Sequence, residues 1–118
     1  VLVGAQEASQ LQEIGTPESA FVADIILTRI QAYNALQPLK ERNKAALHDL
    51  LCVLILLDDK LILDSCSVYA TVCIDRGEAA GQLLIDRRVA HEKENLTVVF
   101  RVDPIRYHKM LLHVLQPI

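Results

Sequence analysis

The stretch from Leu96 to Leu115 constrains the fold most, because the spacing of its apolar residues changes in the middle. From Leu96 to Val102 the apolar residues alternate with others, which is the period of a strand that buries one face. Asp103 and Pro104 favour the start of a helix, since aspartate is a strong N-cap residue and proline fits the first turn. The residues that follow are apolar on more than one side. The sequence therefore predicts a strand that leads directly into a helix covered on both faces.

Two further helices are predicted in the first half of the chain. Thr16 and Pro17 mark the start of one helix, and apolar residues then recur at steps of three and four as far as Leu36. Pro38 disfavours helical geometry at the residue before it, so this helix ends there. The second helix covers residues 45–57. Because it is apolar nearly all round after residue 50, we expect it to be the central element.

The remaining segments predict strands. Alternating apolar residues occupy 68–74, 83–89 and 96–102, and a short strand is expected at 61–63. Short polar turns between strands are typical of an antiparallel meander. The expected fold is α+β: two N-terminal helices, an antiparallel meander of three or four strands and a C-terminal helix, with the helices packed on one face of the sheet.

The length of 118 residues favours one domain. Residues 1–15 contain few apolar positions and two glycines, so we expect them to form a loose N-terminal arm. The single α+β domain is then expected to cover residues 16–118.

Composition suggests that the chain associates with another. Hydrophobic residues make up 52% of the sequence and aromatic residues only 4%, which is more aliphatic side chain than one modest core needs. We place the candidate interface on the last helix, at Leu111, Leu112 and Leu115. The function that the sequence favours is a non-enzymatic, intracellular protein-interaction domain that self-associates, most simply as a homodimer, with a further protein partner possible.

A DNA-binding regulator of the winged-helix kind is the first alternative. Arg87, Arg88 and Lys93 crowd the predicted hairpin at residues 86–95, and a basic hairpin after helices is typical of a DNA-binding wing. Acidic residues interleave with these bases, and the chain carries a net charge of −3. Because nucleic-acid affinity depends on clustered positive charge, a salt-bridged polar hairpin is the favoured interpretation.

The second alternative is a small enzyme or ligand-binding protein with a pocket between helices and sheet, built on Tyr33, Cys66 or His91. The four histidines are scattered, and His48-Asp49 and His91-Glu92 are pairs without a supporting motif. No P-loop, dinucleotide-binding or zinc-binding spacing occurs in the sequence. The sequence thus predicts no catalytic residue and no cofactor, and an enzyme is less favoured than an interaction domain.

One acidic group is dense enough to consider as a cation site. Asp58, Asp59 and Asp64 follow the second helix, and carboxylates are ligands for Mg²⁺ and Ca²⁺. The spacing matches no calcium loop, so a solvated turn that ends an apolar helix is favoured and no metal site is predicted.

Cysteine usage indicates the compartment. The three cysteines are an odd number and contain no CxxC pair, which favours reduced thiols and hence the cytoplasm. Each is expected to be a small buried residue. The longest apolar run, Leu50–Leu57, is far shorter than the roughly 20 residues of a membrane-spanning helix, and the first residues do not resemble a secretory signal.

Overall fold

The computed structural model describes residues 1–88 and 92–117, and these form two compact units. Unit 1 comprises Val1–Leu61 together with the chain from Asp103 onward, and unit 2 comprises Ile62–Val102. Within the described residues the elements follow the order β1 (Leu2–Gly4), α1 (Ala5–Ile14), α2 (Pro17–Leu36), β2 (Lys44–Ala46), α3 (His48–Leu57), a 3₁₀ turn (Asp59–Leu61), β3 (Ile62–Val72), β4 (Leu83–Asp86), β5 (Leu96–Val102) and α4 (Pro104–Val114). The predicted α+β class is confirmed, although residues 16–118 divide between two units.

The N-terminal segment forms regular structure where the sequence predicted a loose arm. Strand β1 pairs antiparallel with β2, and Val3 lies opposite Ala45 with both side chains buried. Helix α1 buries Ala8 and Leu11 and ends at Gly15, which takes the left-handed conformation that favours glycine. The sparse apolar residues of this segment are thus sufficient, because Val3, Ala8 and Leu11 lie in the core.

Helix α2 begins and ends as the sequence predicts. Thr16 caps it, since Oγ1 of Thr16 accepts a hydrogen bond from the backbone N–H of Ser19 over 3.1 Å. The hydroxyl oxygen of Ser19 in turn accepts a hydrogen bond from the backbone N–H of Thr16, which completes a capping box. The helix buries Ala23, Ile26 and Ile30, so it packs by one face.

Helix α3 differs from its prediction in both extent and position. Residues 44–46 form strand β2, because Ala45 pairs with β1, and the helix begins only at His48. Within the described residues Leu54 is the one buried side chain of α3, whereas Leu56 is 86% exposed. The apolar run therefore does not make this helix the central element of the unit.

Helix α4 confirms the predicted switch from strand to helix. The carboxylate of Asp103 accepts hydrogen bonds from the backbone N–H groups of Ile105 and Arg106, and Pro104 occupies the first position. Tyr107 and Leu111 lie in the core of unit 1. The helix is thus buried on one side, with Ile105 and Val114 exposed on another.

Unit 2 is a three-stranded antiparallel sheet. The long strand β3 is central, its first part pairing with β5 and its last part with β4. The sequence predicts a meander in which consecutive strands are neighbours, and this order is wrong for β5, which among the described residues pairs with β3 and not with β4. Strand β3 also joins most of the two short strands expected at 61–63 and 68–74 into one. Strand β3 can be this long because it has two partners: β5 hydrogen-bonds to the backbone of its first part, and β4 hydrogen-bonds to the backbone of its last part. The end of the strand predicted to reach residue 89 lies outside the described residues.

Candidate functional site

A cavity of small-molecule size lies within unit 1. Its volume is about 650 Å³, which falls in the range typical of small-molecule sites. Its walls come from α2, the segment around the start of α3, and the last turn of α4. The apolar side chains that line it are Val22, Ile25, Ala46, Leu47, Leu50, Leu111, Val114 and Leu115.

Three charged or titratable side chains line the same cavity. Arg29 comes from the middle of α2, and His48 and Asp49 are the first two residues of α3. All three are exposed to solvent in this chain. A largely apolar cavity with a few polar groups at defined positions is the arrangement that small-molecule sites have in common.

Local structure explains how α3 presents His48 and Asp49. The backbone N–H of Leu51 donates to the carbonyl oxygen of Leu47 over 3.2 Å, which places the helix start immediately before His48. The first N–H groups of a helix have no partner within it and carry partial positive charge. The carboxylate of Asp49 lies in the first turn, where its negative charge complements this partial positive charge. The start of α3, which lines the cavity, therefore favours a carboxylate at this position.

The guanidinium of Arg29 lies over an aromatic ring. Its central carbon is 5.1 Å from the centroid of the Tyr33 ring, one helical turn further along α2. Cation–π contacts at this distance are attractive and restrict the orientation of the arginine. Arg29 therefore lines the cavity while its guanidinium is in contact with the Tyr33 ring.

The cation site considered at Asp58, Asp59 and Asp64 is not formed. Asp58 accepts a hydrogen bond from Nε of Arg106 over 2.6 Å and also pairs with Nη2 of that residue. This side-chain contact with Arg106 lowers the pKa of Asp58 below its ordinary value. Among the described residues, no group of three or more histidine, cysteine or acidic side chains is placed to hold a metal ion.

The predicted interface residues are in different environments. Leu111 is buried in the core of unit 1, whereas Leu112 and Leu115 are half-buried. Leu111 and Leu115 also line the cavity. A role for the three leucines in association stays a prediction.

The predicted nucleic-acid contacts lie in unit 2. Nε of Arg88 donates to both carboxylate oxygens of Asp86, over 2.9 and 3.0 Å, and this contact raises the pKa of Arg88. Arg87 and Lys93 are exposed. The pairing of Arg88 with Asp86 agrees with the favoured salt-bridged interpretation of this segment.

The residues of the second sequence alternative do not define the cavity. Neither Tyr33 nor Cys66 is among the described residues that line it, and His91 lies outside the described part of the chain. The thiols of Cys52 and Cys66 are exposed and that of Cys73 is half-buried, so the expectation of buried cysteines is wrong. In the described part of the chain, no helix combines the length and the hydropathy needed to cross a bilayer.

Sequence reasoning missed the site that the structure forms. Arg29 is unremarkable in the sequence, and the pair His48-Asp49 stands among four scattered histidines. One signal in the sequence could have pointed to the pair: His48 and Asp49 are polar residues that directly precede the longest apolar run, Leu50–Leu57. Nothing in the sequence indicated that α2 and α4 would contribute to the same cavity.

The fold is similar to part of a solved enzyme structure. The chain is similar to a solved structure described as "Purine-Preferring Ribonucleoside Hydrolase from Gardnerella vaginalis", with a TM-score of 0.80 and 23% sequence identity. The likeness covers 98% of this chain but 35% of the solved one, so the chain spans about a third of that protein's length. No protein-family model matches the chain, and no match was found among curated proteins.

This likeness overturns the function predicted from the sequence. A non-enzymatic, self-associating interaction domain was expected, with a DNA-binding regulator as the first alternative, whereas the structural neighbour is an enzyme. The large number of aliphatic side chains was poor evidence for function, because apolar surface occurs both at interfaces between subunits and in the walls of ligand cavities.

Proposed function

We propose that this chain is part of a ribonucleoside hydrolase and that the cavity of unit 1 takes the ribonucleoside. The observation that carries the proposal is the coincidence of a hydrolase fold, at a TM-score of 0.80, with a cavity lined by His48, Asp49 and Arg29. The cavity volume of about 650 Å³ suits a ligand of nucleoside size.

The reaction is hydrolysis of the bond between ribose C1′ and a base nitrogen. The oxygen of water bonds to C1′ and the water releases one proton, while the electron pair of the broken C–N bond passes to the base, which takes up one proton, so that the products are ribose and the free base. Glycoside hydrolysis proceeds through an oxocarbenium-like transition state and is aided by protonation of the leaving group. A site for this reaction needs a proton donor at the base and a carboxylate near the sugar.

His48 and Asp49 are assigned these two roles. An imidazole delivers protons efficiently near neutral pH, so His48 is the general acid that protonates the departing base. Asp49 is adjacent in sequence, and its carboxylate accepts hydrogen bonds from ribose hydroxyls or from the attacking water. The apolar walls then contact the faces of the base.

The test is hydrolysis of ribonucleosides by the purified chain, followed through free base and reducing sugar. We expect His48→Ala to lower kcat about 10²- to 10⁴-fold, the usual contribution of a general acid. Asp49→Asn is expected to lower kcat/KM while leaving the fold intact, because its side chain is exposed.

Matched controls are available on the same chain. His113→Ala changes an exposed histidine on α4, and Asp59→Asn changes an exposed aspartate just after α3. Neither residue is among the described residues that line the cavity, so both variants should retain wild-type rates. Failure of the wild-type chain to hydrolyse any ribonucleoside, or a wild-type rate in His48→Ala, would overturn the proposal.

The proposal also includes a cytoplasmic location. The three cysteines are unpaired and at least partly exposed, which supports a reducing compartment.

A further inference from the structure

Arg29 is the permanently charged cation among the described residues that line the cavity. It stands in the middle of α2, where Val22 and Ile25 of the same helix contribute apolar wall. Guanidinium groups do not deprotonate in proteins and donate through a planar fork of N–H groups. The guanidinium of Arg29 is exposed to solvent, and it is therefore an available donor at a largely apolar cavity that His48 and Asp49 also line.

The orientation of that fork is restricted before any ligand enters. Tyr33 lies four residues after Arg29, and its ring centroid is 5.1 Å from the guanidinium carbon. Residues four apart share a helix face, so the ring supports the arginine from its own helix. A donor held in this way loses less freedom when it binds a planar ligand.

Purine bases differ in what they present to such a fork. A 6-oxopurine, as in inosine or guanosine, has two neighbouring acceptors at O6 and N7, which match the two parallel donors of arginine. A 6-aminopurine, as in adenosine, replaces O6 with an amino group that is itself a donor. The same fork then faces one acceptor and one repelling donor.

We infer that Arg29 is a specificity-determining residue and that the cavity selects 6-oxopurine ribonucleosides over adenosine. The inference rests on the proposed function for the location of the nucleoside, and it adds the class of base and the residue that reads it. Arg29 binds the O6/N7 edge, while His48 and Asp49 at the start of α3 act on the glycosidic bond and the ribose.

The first arm of the test compares kcat/KM for inosine, guanosine and adenosine. We expect the 6-oxopurine nucleosides to be favoured about 10- to 100-fold, the discrimination that one bidentate arginine contact supplies. Arg29→Gln should reverse the preference, because a glutamine amide pairs with the N6/N7 edge of adenine. Arg42→Gln is the matched control, since Arg42 is exposed and is not among the described residues that line the cavity.

The second arm measures binding of free hypoxanthine and free adenine by titration calorimetry, with no chemistry involved. Wild-type chain should bind hypoxanthine about 10- to 100-fold more tightly than adenine, and Arg29→Gln should reverse this preference, as in the first arm. Hydrolysis without base preference, or with equal loss on both bases in Arg29→Gln, overturns the inference and leaves the proposed function standing. Selective binding of hypoxanthine without hydrolysis overturns the proposed function and supports the role of Arg29. Absence of both binding and hydrolysis overturns both.

Discussion

Nε of Arg106 donates a hydrogen bond to Oδ2 of Asp58 over 2.6 Å and so joins the end of α3 to the first turn of α4. Asp58 also accepts a hydrogen bond from the backbone N–H of Lys60, which shapes the turn after α3. The cavity is lined by the start of α3 and the end of α4. The ion pair thus links α3 and α4 at the ends that do not line the cavity. By fixing the two helices to each other, it helps to set the position of the cavity walls.

Asp58→Asn should lower the Tm by a few degrees at pH 7. The hydrogen bond from Arg106 lowers the pKa of Asp58 below its ordinary value of 3.8, so the carboxylate stabilises the fold above that pH. This contribution is lost as pH falls through the lowered pKa, and the Tm difference between wild type and variant should shrink on acidification. Thermal melts between pH 2 and pH 7 measure it, with Asp59→Asn as control. A difference independent of pH would contradict the role of the pair.

Tyr107→Phe should leave stability unchanged or raise it by about 1 kcal/mol. The side chain is 0% exposed, and its hydroxyl has no hydrogen-bond partner within the described part of the chain. An unpaired buried polar group opposes folding, so its removal costs nothing. Tyr107→Ala should instead lower the free energy of unfolding by about 3–5 kcal/mol, because it leaves a cavity. Urea unfolding separates these outcomes, and a large loss in Tyr107→Phe would show that the hydroxyl is paired.

Alkaline pH should destabilise the fold through the same side chain. Burial raises the pKa of Tyr107 from 10.0 to about 12, so the folded chain disfavours the tyrosinate. The stabilising contribution is therefore complete below pH 10 and is lost as pH rises from 10 towards 12. At pH 11 the loss should be about 1 kcal/mol. Urea unfolding at pH 8–11 should show this fall in wild type and lack it in Tyr107→Phe.

Asn95→Ala should destabilise unit 2. The amide of Asn95 accepts a hydrogen bond from the N–H of Ala70 and donates one to its carbonyl oxygen, each over 2.9 Å. Loss of both bonds should cost about 1–3 kcal/mol and speed hydrogen exchange at the Ala70 amide. Asn95→Asp keeps the acceptor and should retain protection of that amide better. Glu94→Ala, at an exposed neighbouring position, is the control, and equal exchange in all variants would contradict the assignment.

Thr16→Ala should lower the free energy of unfolding by about 1 kcal/mol, the usual cost of losing an N-cap. The Thr16 hydroxyl also donates to the carbonyl oxygen of Leu115 over 3.2 Å, so the variant should loosen the end of α4 as well. Thr16→Ser keeps both contacts and should behave like wild type. Chemical denaturation measures the cost, and an unchanged midpoint in Thr16→Ala would show that the cap is dispensable.

Elements with local end signals were predictable from the sequence. Helix α2 begins at the capping box of Thr16, and α4 begins at Asp103-Pro104. Each of these helix starts is determined by residues that are neighbours along the chain. Strand β5 follows from its alternation alone. By contrast, the apolar run in 45–57 carries no signal for the start of a helix, and its first residues form part of a sheet.

The site was not predictable for a related reason. Arg29 and His48 belong to different helices, and Leu115 lies at the far end of the chain, yet all three line one cavity. No spacing in the sequence relates such residues, because their proximity depends on how α2, α3 and α4 pack. The fold likeness to part of a solved hydrolase is the basis of the proposed function, which residue patterns did not indicate.

The sequence by itself determined the α+β class, the antiparallel strands, both ends of α2 and the start of α4, because caps and hydrophobic periods act over a few residues. Only the tertiary structure decided that Val3 pairs with Ala45, that α3 leaves its apolar face exposed, and that Arg29, His48 and Asp49 meet at one cavity. These outcomes depend on contacts between distant segments, whose free energy is shared among many side chains and is not contained in any one of them.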